Sequence, residues 1–358
     1  MKSDLHKYHI VKSFNLQKIA EILGLEVKQL KDFHNANSSP HEWIKDDNQF
    51  PMWLNHLYIP DSEINLIENK KRRESLNFVS LKQSEIDSSE YKIKQKIDMQ
   101  VSGSSIVDSE TEIIWEFSKF EKEGVFFGEI QQKSHQVKYI KSIYRQFAEY
   151  MQKFNKPMEH LIIELFQDGA MKSLLNQDEI KKTWDTLKGE LKPELGNTLE
   201  EKNMIEGGDK DFSNTFPLIK NNTLYTLFLN DLFQEYSELN TFVELEKQDY
   251  ISQIFANEKV ILFKKRRVEK DGNMVKIKFF SEADPNKNGH LRQIYNTKLK
   301  DFLQEEYNYS LTWSVEYHFD ILKGKMLLCH SKIKEQASAK YSHLTEHKIE
   351  LIKINKNG

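Results

Sequence analysis

Apolar and polar residues recur along this chain with two periods, and the switches between them mark out its elements. Near the start, Tyr8-His9-Ile10-Val11 is a short β-prone run, and Leu16, Ile19, Ala20 and Leu23 follow at i, i+3, i+4 and i+7, the spacing of one helix face. Asn15 stands where an N-cap belongs, able to accept a bond from one of the first free backbone N–H groups, and Gly24 ends the helix. Val27 and Leu30 open a second short helix that carries Phe33, and Leu57-Tyr58-Ile59-Pro60 is a closing strand stopped by proline.

Beyond a polar stretch the period shortens to two. Leu76–Leu81, Tyr91–Val101, Glu112–Phe120 and Val125–Gln131 are β-prone, and alternation in Ile113, Trp115 and Phe117 predicts strands with one buried face, joined at Gly124. From Val137 the period lengthens again, with Ile140, Ile143, Tyr144, Phe147 and Met151 predicting an amphipathic helix that ends before Pro157. Leu161–Phe166 and Ala170–Leu175 read as a hairpin, Gln177–Lys188 as a helix capped by Asn176, and Leu224 to Leu232 as a further helix. The charged, Gly-bearing run Asn203–Asn214 predicts a mobile loop. Strands return at Thr241–Glu246, Lys259–Val268, Met274–Phe280, Ser310–Leu322 and Lys325–Ile333, with a helix near Gln293–Glu305. The expected fold class is α+β: a small N-terminal βααβ module followed by a larger mixed body of antiparallel sheets and helices.

The order of the first elements, with Tyr8, Leu16, Ile19, Ala20, Gly24, Val27, Leu30, Asn35 and the Leu57-Tyr58-Ile59-Pro60 ending, resembles the LysM module. The resemblance covers residues 1–62, with an enlarged loop over 36–56. Residues 63–75 read as a linker, 76–240 as the first part of the body and 241–358 as a mainly β C-terminal part. LysM modules that hold N-acetylglucosamine polymers carry a Gly-Asp-Ser/Thr turn after the first strand, and here the turn is Ser13-Phe14-Asn15. The enlarged loop brings Pro40, Trp43, Phe50, Pro51 and Trp53 beside the place where the sugar groove is expected. Such aromatics serve a local core, a protein contact or a sugar face, and the sequence leaves all three open. Phe14, Asn15, Trp43, Phe50 and Trp53 are the candidate binding residues.

Composition narrows the classes. With 358 residues, 38% apolar and 30% charged, including 22 Phe, 14 Tyr and 5 Trp, the chain is a folded protein of two or three domains. A net charge of -3 advertises neither a nucleic acid nor a membrane partner. The basic runs Lys70-Lys71-Arg72-Arg73 and Lys264-Lys265-Arg266-Arg267 read as linker and hairpin edge. Met1 to His6 contains no apolar segment of the signal-peptide kind, and no run approaches the ~18 apolar residues of a membrane span. The single Cys329 excludes an intramolecular disulfide. The expected location is cytoplasmic, or outside the cell by a machine that needs no signal peptide.

Motifs of catalysis are absent: no nucleophile elbow, no Walker loop and no dinucleotide fingerprint, so no cofactor, metal or catalytic residue is assigned. Cys329-His330 lies in a predicted strand, where neighbouring side chains face apart, and Glu164 and Glu316 have no fixed separation. Three functions stay open. Resemblance to LysM proteins of contractile injection machines, type VI secretion and phage-tail-like assemblies included, implies a non-catalytic adaptor or structural protein whose module contacts a tail spike, baseplate or effector protein. A peptidoglycan-binding protein that holds N-acetylglucosamine polymers is the second, and an effector enzyme delivered by the module is the third.

Overall fold

The computed structural model describes residues 6–10, 15–23, 25–45, 50–51, 54–59, 78–83, 86–191, 198–256 and 258–354. Its contacts divide the chain into two units, Met1–Ser80 with Glu235–Leu239, and Leu81–Gln234 with Asn240–Gly358.

In the first unit, β1 (His6–His9) and β2 (His56–Ile59) pair antiparallel with Tyr8 opposite Leu57. Between them in sequence lie α1 (Leu16–Leu23), α2 (Val27–Asn37) and a 3₁₀ turn at Pro40–Glu42. The helical spacing of Leu16, Ile19, Ala20 and Leu23 buries one face of α1 in a core shared with Leu30, Ile44, Leu54 and Leu57. A short ladder pairs β3 (Val79–Ser80) with β9 (Glu235–Tyr236).

The second unit is built on one antiparallel sheet of eleven strands. A first meander comprises β4 (Ile86–Val101), β5 (Ser104–Lys122), β6 (Val125–Ile140), β7 (His160–Leu165) and β8 (Met171–Leu174). A second comprises β10 (Phe242–Ile251), β11 (Lys259–Asp271), β12 (Met274–Ala283), β13 (Ser310–Asp320), β14 (Lys325–Ser338) and β15 (Tyr341–Ile354). The last strand pairs with the first long one, so the order reads β10-β11-β12-β13-β14-β15-β4-β5-β6-β7-β8. The turns Ser102-Gly103 and Glu123-Gly124 join β4 to β5 and β5 to β6 with positive φ at both residues. That combination marks the two-residue hairpin whose twist matches the strands it joins.

Residues in register form a buried row across the sheet: Val268, Ile277, Tyr317, Cys329, Ile349, Ile93 and Ile113, each from the next strand in the order. The opposite face is wet and carries cross-strand pairs such as Lys133–Glu116 at 2.6 Å, Lys138–Glu112 at 3.4 Å and Lys332–Glu346 at 2.5 Å. Exposed pairs of this kind contribute about 0–1 kcal/mol each, against roughly 1.5–3 kcal/mol for each large apolar side chain buried. The inner row therefore dominates.

Over part of the inner face lies a helical layer from the β8 to β9 connection: α4 (Gln177–Leu191), α5 (Leu199–Ser213), α6 (Phe216–Asn221) and α7 (Thr223–Phe228), while α3 (Arg145–Phe154) follows β6. Tyr225 of α7 stacks on Trp115, their rings 5.0 Å apart, and Phe228 meets Tyr91 and Phe117 edge-on. Asn230 donates to the Tyr317 hydroxyl at 2.7 Å. Between β12 and β13 run α8 (Gly289–Lys298) and α9 (Lys300–Leu303).

The expected α+β class, a small βααβ module with a mixed body, does not hold. Strand makes up 48% and helix 28% of the described residues, and the one large sheet dominates. Strand β15 is what a hydrophobic pattern cannot show, because its inward positions include His343, Thr345 and His347. The helix expected from Val137 is also corrected: β6 continues to Ile140, Ile143 is 76% exposed, and α3 starts at Arg145. Nor is 203–214 a loop, since α5 runs through it to Ser213. Its helix packs on α4 at Gly208, where a Cβ would stand 2.3 Å from Trp184 Cζ2. Trp184 Nε1 donates to Asp209 at 2.8 Å, fixing the indole that the glycine accommodates.

This contact predicts opposite outcomes at adjacent glycines. Gly208→Ala forces overpacking against Trp184 and destabilises by about 1–3 kcal/mol. A Cβ at Gly207 meets nothing within 4 Å, so Gly207→Ala stabilises by up to about 1 kcal/mol through helix propensity. Denaturant midpoints of the two variants measure both; equal shifts in the same direction contradict the packing.

Candidate functional site

The first unit presents its loop through a strap, residues 42–45, fastened to α2. Ile44 is buried and anchors the strap in the core. Its N–H donates to Asn35 Oδ1 at 2.8 Å while Asn35 Nδ2 donates to the Ile44 carbonyl at 3.1 Å, so one amide side chain holds both backbone polar groups of one residue. On the same helix face, Lys31 Nζ donates to the Lys45 carbonyl at 3.2 Å. His34 completes the set. Its Nδ1 accepts from the Tyr58 N–H at 3.1 Å, and Nε2 stands 3.2 Å from the Glu42 carbonyl, to which it donates in the tautomer that the first bond requires. Thus His34 ties strand β2 to the strap.

With Glu42 and Ile44 both held, Trp43 between them is directed outward and is 43% exposed. Its Nε1–H leans to the Ser38 carbonyl at 3.4 Å. Ser39 and Glu42 cap the 3₁₀ turn that precedes it, the Ser39 N–H donating to Glu42 Oε2 at 3.3 Å. A large aromatic held this way loses little freedom on binding, the property that makes an anchor effective.

The other sequence-predicted residues have different roles. Asn15 is the N-cap of α1, its Oδ1 accepting from the Lys18 N–H at 2.9 Å, so its side chain is occupied in ending the helix. Phe50 is half-buried against the core. Phe14 and Trp53 lie outside the described residues, as do 70–73, the first basic run. The structure therefore places Trp43 on the surface and does not gather the five into one patch among the described residues. His34 went unmarked at the level of sequence; its signal is a polar residue on the buried face of α2 beside Asn35.

Burial pushes the His34 imidazole below its ordinary pKa, outweighing the Glu42 carbonyl and carboxylate that act in the other direction, with His56 adding to the lowering. Protonation would also set an N–H against the Tyr58 N–H.

In the second unit the singled-out carboxylates stay apart. Glu164 on β7 accepts from Lys172 and Ser173, and Glu316 on β13 accepts from His318, on strands that stand tenth and fourth in the sheet order. Each is held below the usual carboxylate range by those hydrogen bonds, a property of a surface acceptor and not of a paired acid and base. Cys329 is fully buried beside Tyr317 while His330 is exposed on the other face. The run Lys264–Arg267 lies in β11, where Lys264 stands over the Phe279 ring and Lys265 over Phe242 and Phe280. Gly103 belongs to a hairpin turn. Among the described residues no group of three or more His, Cys, Asp or Glu is placed to hold a metal, and no helix is long and apolar enough to cross a membrane.

No family model matches the chain, and no curated protein matches it. Among solved structures, an outer membrane channel from Pseudomonas putida F1 aligns at 8% identity over 76% of this chain and 98% of its own, with a TM-score of 0.16. That score is too low to carry any inference about fold.

The His34 geometry sets a pH dependence. Its folded pKa lies below the unfolded value near 6.5, so the unfolded chain binds more protons on acidification. The stability it contributes is fully present above about pH 6.5 and is lost as pH falls below that value towards the folded pKa. Hydrogen exchange at the Tyr58 amide is expected to accelerate from pH 7.5 to pH 5.5 beyond the intrinsic chemistry. His34→Ala removes that dependence and, by orphaning the Tyr58 N–H, destabilises the unit by about 1–3 kcal/mol.

Proposed function

We propose that the chain is a non-catalytic binding protein that contacts a protein partner through the Trp43 strap of its first unit. The observation that supports this reading is the double clamp of Asn35 on Ile44, with His34 on Glu42, which spends two buried or half-buried side chains on holding one exposed tryptophan in place. A core aromatic needs no such fixture, because burial alone holds it. The resemblance to LysM modules supplies the setting: an adaptor or structural component of a bacterial contractile injection machine, of the type VI secretion or tail-like kind, with a tail spike, baseplate or effector protein as partner. The sequence Ser13-Phe14-Asn15, where sugar-holding LysM modules carry Gly-Asp-Ser/Thr, and the added length over 36–56 favour a protein over N-acetylglucosamine polymers in this reading.

The full chain and its Trp43→Ala variant, matched by circular dichroism and melting temperature, test the proposal. Each is offered to lysate of the source cell and to insoluble peptidoglycan. The expected result is capture, identified by mass spectrometry, of a tail spike, baseplate or effector protein, weakened about 30-fold by Trp43→Ala, the loss of an anchor contributing ~2 kcal/mol. Sedimentation with peptidoglycan that N-acetylglucosamine oligomers compete away would replace the adaptor reading with the cell-wall one.

A further inference from the structure

The inner face of the large sheet changes character from one end of its strands to the other, and the helical layer covers only one part of it. Next to the apolar row through Ile349 and Ile93, the following registered positions read Ser331, His347 and Gln95, then Ile333, Thr345 and Ile97, then Glu335, His343 and Met99. Above these rows the helices stand off. Pro217, Leu218, Asn221 and Leu224 from α6 and α7, and Tyr250 and Gln253 at the end of β10, wall a cleft of about 700 Å³ whose floor includes Gln95, Ile97, Ile333, His343, Thr345 and His347. That volume is in the usual range for small-molecule sites, roughly 300–1,000 Å³.

His347 is the informative residue. It is 1% exposed, and Gln95 Nε2 lies 3.2 Å from its Nε2, so the amide donates, Nε2 accepts, and the ring proton sits on Nδ1. Among the described residues no atom accepts from that Nδ1. Burial holds the imidazole at a pKa of about 4, which leaves it neutral at physiological pH. His347 thus brings to the floor a buried, uncharged imidazole whose Nδ1–H has no acceptor among the described residues. Beside it the Thr345 hydroxyl faces His343 Nδ1 at 3.5 Å, and that imidazole is also held below its ordinary pKa by burial.

Charge is sparse in the lining of the cleft. Among the described residues the charged ones lining the cleft are Lys210 and Asp211, adjacent and of opposite sign. Glu335, in register with His343, is buried with its oxygens occupied by the Ser252 and Tyr309 hydroxyls and the Gln253 N–H. His343 and His347 are four residues apart along one strand, about 13 Å at ~3.3 Å per residue, too far to share a metal ion. Apolar surface comes from Ile97, Ile333, Pro217, Leu218 and Leu224.

We propose that this cleft binds a small uncharged ligand that presents a carbonyl oxygen to His347 Nδ1–H and an apolar body to the isoleucine and leucine walls. The inference is independent of the role given to Trp43. An unpaired buried donor carries a penalty that an acceptor removes, and neutral donors favour a carbonyl over a carboxylate, whose desolvation nothing here repays.

Three probes that share the leucine side chain and differ in charge test it on the full chain: N-acetyl-leucine methylamide, neutral; N-acetyl-leucine, an anion; and leucine methylamide, a cation. Histidine side-chain nitrogen NMR and calorimetry follow the titrations. The neutral probe is expected to saturate in the millimolar range, to move the His347 Nδ1–H resonance downfield, and to bind about tenfold tighter than either charged probe. Its affinity is expected to fall about tenfold in His347→Phe. A shift of the His347 resonance in the wild-type chain decides the matter even if that variant does not fold. Equal binding of the anion, or no change at His347 with any probe, overturns the proposal.

Discussion

The pairing of β15 with β4 is the contact on which the second unit rests. Thirteen registered pairs, from Tyr341 opposite Val101 to Ile354 opposite Ser89, join the last strand to the first long one. Without it two meanders remain, each with a long open edge and only its own part of the buried row. The row runs through the seam, Cys329 to Ile349 to Ile93 to Ile113, so hydrogen bonding and apolar burial are satisfied by the same register. A slip of one residue would turn His347 and Ile349 outward and bring Lys348 and Glu350 into the interior, a cost far above that of any surface ion pair. The seam also joins segments separated by most of the chain, so its loop-closure entropy is met late, and folding of this unit is expected to be limited by it. The outer edges are blunted in ways that oppose aggregation: β8 has four residues, and β10 carries a register shift between Leu245 and Gln248.

From that seam follows the division of the inner face. Tyr225 and Phe228 cover the part of the sheet where Tyr91, Trp115 and Phe117 lie, and aromatic rings fill the space between helix and strand. Further along the strands the inward positions of β15 become His347, Thr345 and His343, and apolar helix side chains have no reason to pack on them. The cleft is where the apolar match between helix layer and sheet ends.

Local elements were legible where one face is uniformly apolar. The spacing of Leu16, Ile19, Ala20 and Leu23 matches α1, the alternation in Ile113, Trp115 and Phe117 matches β5, and Gly124 falls at the β5 to β6 turn. What failed were positions whose meaning lies in a distant partner. Strand β15 reads as polar because half of its inward residues are His and Thr, and its status as a central strand depends on β4, some 250 residues earlier in the chain. Gly207-Gly208 reads as a loop signal, yet Gly208 is a helix position emptied for Trp184. In the first unit the aromatics drew attention from composition, whereas the residues that fix Trp43 are an asparagine and a histidine whose role appears only once the strap is folded back on α2.

The two buried histidines show how hydrogen-bond counting separates structure from site. His34 and His347 are both desolvated, both neutral, and both held below the ordinary imidazole pKa by burial. The direction of the shift therefore distinguishes nothing. At His34 both ring nitrogens are engaged by backbone, one accepting from Tyr58 and the other donating to Glu42, so the ring is a fastener with no capacity left. At His347, which lines a cleft, one nitrogen is engaged by Gln95 and the other has no partner among the described residues. A buried N–H without an acceptor opposes folding by about 1–3 kcal/mol unless something else supplies one. Such a group is retained at a cost to stability, and the open volume beside it is where that cost can be recovered.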